Sequence, residues 1–195
     1  MAYTSRTHSL VSLLFILTAQ YSFAQKPVIL NQESTIYKVN QYTLYEDQSN
    51  LLQFEDILTN TLKPLDKSNL NIGLSYSTFW LKFQIENNTS NPSLLLDLRH
   101  PTLDIVELYT YYPNKEVISQ EISEYKVFAK RKHKHPNYLF DIYAPKDSSV
   151  ICFLKVKSND QINLPVYVGV SETILKSLIN RNLIMGMYML IYTLN

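Results

Sequence analysis

Glycine is nearly absent, with three residues in 195, and cysteine and tryptophan occur once each. A chain with fifteen Tyr and so little Gly is not a disordered, low-complexity segment; it points to an all-β domain packed with aromatics. The single Cys152 excludes an internal disulfide. It alternates with Val150, Leu154 and Val156, the pattern of an inert core thiol rather than a nucleophile. An excess of charge of one sign is also missing. Residues 1–24 carry Arg6 and no acid, so their removal leaves a chain with as many acids as Lys plus Arg. Neutrality gives no long-range reason to expect nucleic acid or an anionic membrane as partner. No apolar run reaches the roughly 20 residues that a membrane-spanning helix needs.

What is present begins with an address. Arg6 and His8 precede the apolar run Leu10 to Leu17, and Ser22-Phe23-Ala24 offers small residues where a signal peptidase reads, so cleavage is expected after Ala24. Residues 25–34 are a polar lead. Residues 35–170 then read as one β domain with about eight strands at short spacing and no alternating helices, which favours a two-sheet sandwich.

The most informative stretch is Ile72 to Tyr109. Phe79, Leu81, Phe83 and Ile85 alternate with Trp80, Lys82, Gln84 and Glu86, a strand with one face in a core and Trp80 on the other. Asn87 to Pro92 reverses the chain, and the Leu94–Leu98 strand is expected to return beside the first. Ile105 to Tyr112 is expected to complete three adjacent antiparallel strands. Thr35 to Tyr45 reads as a single strand and Gln53 to about Asn60 as a short helix. Val117–Ile122, Tyr138–Tyr143, Val150–Lys157 and Asn163–Val170 supply the remaining strands, and Ser123 to Asn137 is the least regular part. Ser171 can cap a helix over 171–182, with Glu172 in its first turn. Residues 183–195 are apolar but reach only ~20 Å, too short to span a membrane alone.

Gly73, Ser75-x-Ser77-x-x-Trp80-Leu81, Phe83, Ile85, Asn87, Pro101, Asp104 and Glu107-Leu108-Tyr109 together resemble the type 2 extracellular domain of bacterial seven-transmembrane receptors with diverse intracellular signalling modules. Phe128 to Arg131 and Asn137-Tyr138-Leu139-Phe140 resemble later elements of the same family, and Gly186-x-Tyr188 resembles the opening of its first transmembrane helix. The resemblance implies a jelly-roll-like antiparallel β-sandwich, similar to carbohydrate-binding modules, on the extracellular or periplasmic face of the cytoplasmic membrane. It also implies membrane attachment through the C-terminal segment, and a downstream signalling module that this chain does not contain.

Candidate chemistry is sparse. Glu46-Asp47 and Glu55-Asp56 are neighbours in sequence, and such pairs seldom converge on one substrate, so no catalytic role is expected. His133-x-His135 is flanked by Lys130, Arg131, Lys132 and Lys134, which oppose a metal ion; no metal or cofactor is expected. The same cations read either as a solvated loop or as a site for an anionic ligand or lipid head group. Trp80 reads in two ways, as an open platform for a sugar ring or as a side chain packed in a second layer. In the first reading Lys82 and Gln84 share its face, and Asp97 and Arg99 on the next strand complete a polar cleft. The candidate binding set is therefore Trp80, Lys82, Gln84, Asp97, Arg99 and Arg131. The expected function is non-catalytic sensing of a small molecule such as a carbohydrate; the rival is a stand-alone secreted carbohydrate-binding or adhesion module.

Overall fold

A computed structural model describes residues 26–66 and 70–193. The expected signal peptide lies outside the described residues. In chain order the strands are β1 (Val28–Leu30), β2 (Tyr37–Lys38), β3 (Gln41–Asp47), β4 (Lys63–Asp66), β5 (Asn71–Gly73), β6 (Thr78–Asn87), β7 (Ser93–Leu98), β8 (Ile105–Tyr111), β9 (Val117–Ser123), β10 (Tyr138–Tyr143), β11 (Ser148–Lys157), β12 (Ile162–Asn163) and β13 (Val166–Val170). Helix α1 is Phe54–Thr59 and helix α2 is Ser171–Thr193.

The strands form an all-β, sandwich-like pair of sheets. One has seven strands in the order β4-β3-β6-β11-β8-β9, with β1 added in parallel to the end of β6; the other is β10-β7-β13-β2, and β12-β5 makes a small third sheet. The period-2 pattern of β6 does what it predicts. Phe79, Leu81, Phe83 and Ile85 enter the main core, where they meet Leu94, Leu96 and Leu98 of β7 and Val150, Cys152, Leu154 and Val156 of β11. Each such side chain contributes about 1.5–3 kcal/mol by leaving water. Burial pushes the Cys152 thiol far up from its ordinary pKa, which keeps it protonated and unreactive.

Three sequence expectations are corrected. The β6, β7 and β8 segments are not neighbours: β6 pairs with β3 and β11, β8 with β11 and β9, and β7 lies in the opposite sheet between β10 and β13. The turn after β6 carries the chain across the sandwich, because the buried Asn87 donates from Nδ2 to the carbonyls of Asn91 (2.9 Å) and Ala144 (2.6 Å) and so ties this corner to the β10–β11 turn. Residues 35–45 are two strands in different sheets: β2 pairs with β13, and Val39 N–H still donates to the Val166 carbonyl before the chain crosses to β3. The polar lead contains β1, whose Leu30 is fully buried; three residues are too few to show a period.

The outer faces are covered too. On the seven-stranded sheet, α1 inserts Phe54 and Ile57 against Trp80 and Phe153. Phe54 stacks on Tyr109 at 4.6 Å and meets Phe153 edge-on at 5.2 Å. Ahead of α1, the Asp47 carboxylate accepts from Ser49 N and Oγ, Asn50 N and Leu52 N. Burial pushes this carboxyl up, but those hydrogen bonds outweigh it and hold its pKa below the ordinary value. On the four-stranded sheet, Ile174 and Leu178 of α2 pack on Leu95 and Leu139.

α2 runs without a break through both expected segments, 171–182 and 183–195, as far as Thr193. From Arg181 to Met187 it is exposed, and no helix among the described residues is long and apolar enough to cross a membrane. The expected start of a transmembrane helix is therefore unsupported.

Two outcomes follow from this packing. Trp80→Ala is expected to destabilise the domain by about 3–5 kcal/mol in urea unfolding, the cost of a cavity in a closed cluster. Asp47→Ala is expected to cost about 2–3 kcal/mol at pH 7 through its lost charge-assisted bonds. Because the folded pKa is depressed, that contribution is present above the unfolded value of about 3.9 and is lost as pH falls through the folded value, so the two proteins should converge in acid.

Candidate functional site

The six residues singled out from the sequence do not form one site. Of the two readings of Trp80, packing in a second layer is the one that agrees with its full burial; Tyr109, whose ring lies 5.6 Å away, and the α1 side chains occupy the space a sugar ring would need. Lys82 and Gln84 share its face of β6. Lys82 lies over the Phe153 ring at 5.6 Å, and Gln84 donates to Ser149 Oγ at 2.6 Å. Asp97 and Arg99 do not complete that face. With Leu96 and Leu98 in the main core, Asp97 points to the outside of the four-stranded sheet, across the whole sandwich from Trp80.

Asp97 and Arg99 serve structure where they are. The fully buried Asp97 accepts from Arg99 Nε (2.7 Å) and from Asn137 Nδ2 (2.7 Å), and the guanidinium lies 3.8 Å above the Tyr167 ring. Asn137 N–H donates to His135 Nδ1, and Arg131 Nη1 reaches the His135 carbonyl at 3.4 Å. The His135 imidazole is lowered in pKa chiefly by burial, with the Arg181 charge acting the same way and Asp97 opposing. Asp97 thus anchors the C-terminal end of the irregular 123–137 loop.

That loop builds the candidate site. β9 and β10 are each one terminal strand of their sheets, whose other ends are β4 and β2, and the Gln120 side chain bridges them: it donates to the Asp141 carbonyl at 2.7 Å and accepts from Asp141 N–H at 3.2 Å, acting as a stand-in strand residue. A cavity of ≈ 590 Å³ opens on the loop side of this bridge, with Ile122 and Phe140 at its base. Tyr125, Lys126, Val127, Lys130 and Arg131 come from the loop. Tyr125 is 70% exposed, an aromatic face open to a ligand. On the other side of the bridge lies a hollow of ≈ 550 Å³ between Tyr112, Tyr143 and Pro145.

Most charges at the cavity are partnered. Lys126 pairs with Glu121 at 3.0 Å, and Asp141 receives both Lys132 (2.9 Å) and His133 Nε2 (3.1 Å). His133 and His135 are therefore engaged separately and do not converge on a common point. Of the six candidates only Arg131 lines this cavity. Gln120, Tyr125 and Asp141 were missed. Gln120 leaves one trace in the sequence, a polar residue in the column of Ile118 and Ile122; the rest depend on the approach of two sheet edges.

Two of the motifs that resemble the family pattern meet here: Phe128 to Arg131 in the loop, and Asn137 to Phe140 running from the loop's last residue into β10. The model of the 7TMR-DISM extracellular 2 domain matches residues 40–169, about two thirds of the chain. The chain belongs to the 7TMR-DISM extracellular 2 family. This is an extracellular sensor-domain family of membrane receptors, and the seam cavity, Asp97 anchor and α2 contact all lie in or directly beside the matched region. No curated relative matches the chain. Among solved structures it is similar to "Structure of TmCBM61 in complex with beta-1,4-galactotriose", at 10% identity and a TM-score of 0.39, covering 67% of this chain and 88% of that one. It is also similar to a structure described as the basis for promiscuous specificity of carbohydrate-binding modules from the β-sandwich superfamily. There the identity is 12% and the TM-score 0.29, over 70% of this chain and 54% of that one. At these scores neither likeness bears on what this 7TMR-DISM extracellular 2 domain binds.

Asp97→Ala would leave Arg99 and Asn137 without their shared acceptor, and is expected to lower stability by about 3 kcal/mol. Hydrogen exchange should quicken in residues 131–137 before the β6–β11 ladder; uniform loosening of both would contradict the anchoring role.

Proposed function

We propose that this 7TMR-DISM extracellular 2 domain is the non-catalytic sensing module of a bacterial membrane receptor, exported to the outer face of the cytoplasmic membrane. A small polar ligand of the carbohydrate class enters the seam cavity between β9 and β10. The observation that carries this reading is a shared wall. Lys132, His133 and Leu139 line the seam cavity and also the groove against Leu175, Leu178 and Ile179 of α2. A ligand that orders the loop therefore changes the surface on which the helix rests, and differential affinity for the two arrangements is what shifts such an equilibrium.

Other features agree with it. The volume suits a mono- or disaccharide, and Tyr125 beside amide and charged groups is the mixture that sugar recognition uses. The two carboxylates lining the cavity, Glu121 and Asp141, are each engaged by a lysine, so they do not form the pair of free, facing carboxyl groups that glycoside cleavage uses. The exposed part of α2 presents Leu183, Ile184, Met185 and Met187, an apolar surface suited to entering a membrane phase alongside other segments.

Titration of the full chain with a panel of mono- and disaccharides, followed by calorimetry and hydrogen exchange, tests the proposal. Binding should slow exchange in residues 123–137 and alter it in 174–181, and Tyr125→Ala should weaken binding by about 1 kcal/mol. Protection confined to the hollow at Tyr112 and Tyr143, with α2 unchanged, would refute the seam site.

A further inference from the structure

We infer that the ligand of the seam cavity carries an anionic oxygen group, a carboxylate or a phosphate, and that Arg131 is the residue that recognises it; this rests on the reading of the cavity as the sensing site. The argument starts from two arginines treated differently. Arg99 sits on Tyr167 and gives its Nε–H to Asp97. Arg131 is held in a similar aromatic setting, with its guanidinium carbon 5.2 Å from the Phe128 ring centre and 5.3 Å from that of Tyr138. Yet its Nε is buried with no hydrogen-bond partner, and among the described residues no carboxylate lies within ion-pair distance. Its terminal nitrogens are only weakly held, by the His135 carbonyl at 3.4 Å and by the Tyr138 hydroxyl, and neither partner is charged.

A buried donor left unmade costs about 1–3 kcal/mol, so Arg131 gains by turning its guanidinium toward an acceptor that enters from the cavity. The surrounding charge selects the kind of acceptor. Lys126, Lys130, Arg131 and Lys132 line the cavity against Glu121 and Asp141, a formal excess of two positive charges, and both acids are already spent on cations. A neutral hydroxyl could take the Nε–H but would leave that excess uncompensated. An anionic oxygen pair meets Arg131 through charge-assisted hydrogen bonds about twice as strong as neutral ones. It also gives Lys130 a counter-charge. A divalent cation faces the opposite field.

Arginine Nε–H resonances report on this atom directly. The full chain, labelled with ¹⁵N-arginine and uniformly in a second sample, is titrated with galacturonate, glucose 6-phosphate and galactose; loss of one signal in Arg131→Lys assigns Arg131. We expect at least one of the acids to shift the Arg131 Nε–H signal and to bind about tenfold more tightly than galactose, a preference that Arg131→Lys reduces by a similar factor while backbone amide dispersion stays native. Acids that bind no better than galactose, with galactose still perturbing the 123–137 amides, would overturn the anion inference and leave the seam site standing. If none of the three perturbs those amides, both fail. Acid binding that survives Arg131→Lys unchanged would remove Arg131 from the role.

Discussion

The ladder between β6 and β11, nine residue pairs from Asn87 with Ser148 to Phe79 with Val156, buries side chains on both of its faces. Inward it presents the aliphatic and phenylalanine column of the main core; outward, Trp80 and Phe153 demand a second cover, which α1 supplies. Two-sided burial of this kind is unusual for an antiparallel sheet, which often leaves one face to water. The sheet face around Trp80 is thereby closed to ligands, and α2 closes the face around Leu95 on the opposite sheet.

With these parts of both faces occupied, the seam where the edge strands β9 and β10 approach each other is left to be closed by other means. An open sheet edge exposes unpaired N–H and C=O groups and invites association. Here Gln120 satisfies both backbone groups of Asp141, and the 123–137 loop lies over the seam. The structural answer to an edge problem thus creates a walled cavity. Because the loop is anchored through Asn137 to the buried Asp97 and rests beside α2, the cavity is mechanically connected to the element that leads out of the domain.

Burial explains why the most conspicuous residues in the sequence are structural. A lone Trp on the polar-looking face of a strand has the same local pattern whether it meets a sugar or a helix, since period 2 reports a side and not what lies on that side. Lys82 and Glu86 made the face look wet, while the residues that cover Trp80 come from Leu52 to Leu62 and from β8 and β11. Likewise Asp97 and Arg99 alternate as a surface pair would, yet Asp97 is wholly enclosed because Asn137, forty residues away, completes it.

The sequence by itself determined the strand-rich class, the inward column of β6, the exact span of β10, the short helix after Asp47, the start of α2 at Ser171 and the family, since these depend on local period, turn chemistry and residue order. Tertiary structure alone decided which strands are neighbours, the division of residues 35–45 between two sheets, the closure of Trp80, and the seam in which Arg131 meets β9 and β10. Those are outcomes of pairing between segments far apart in the chain: hydrogen bonding across a sheet edge and packing across a sandwich join residues that no local pattern relates.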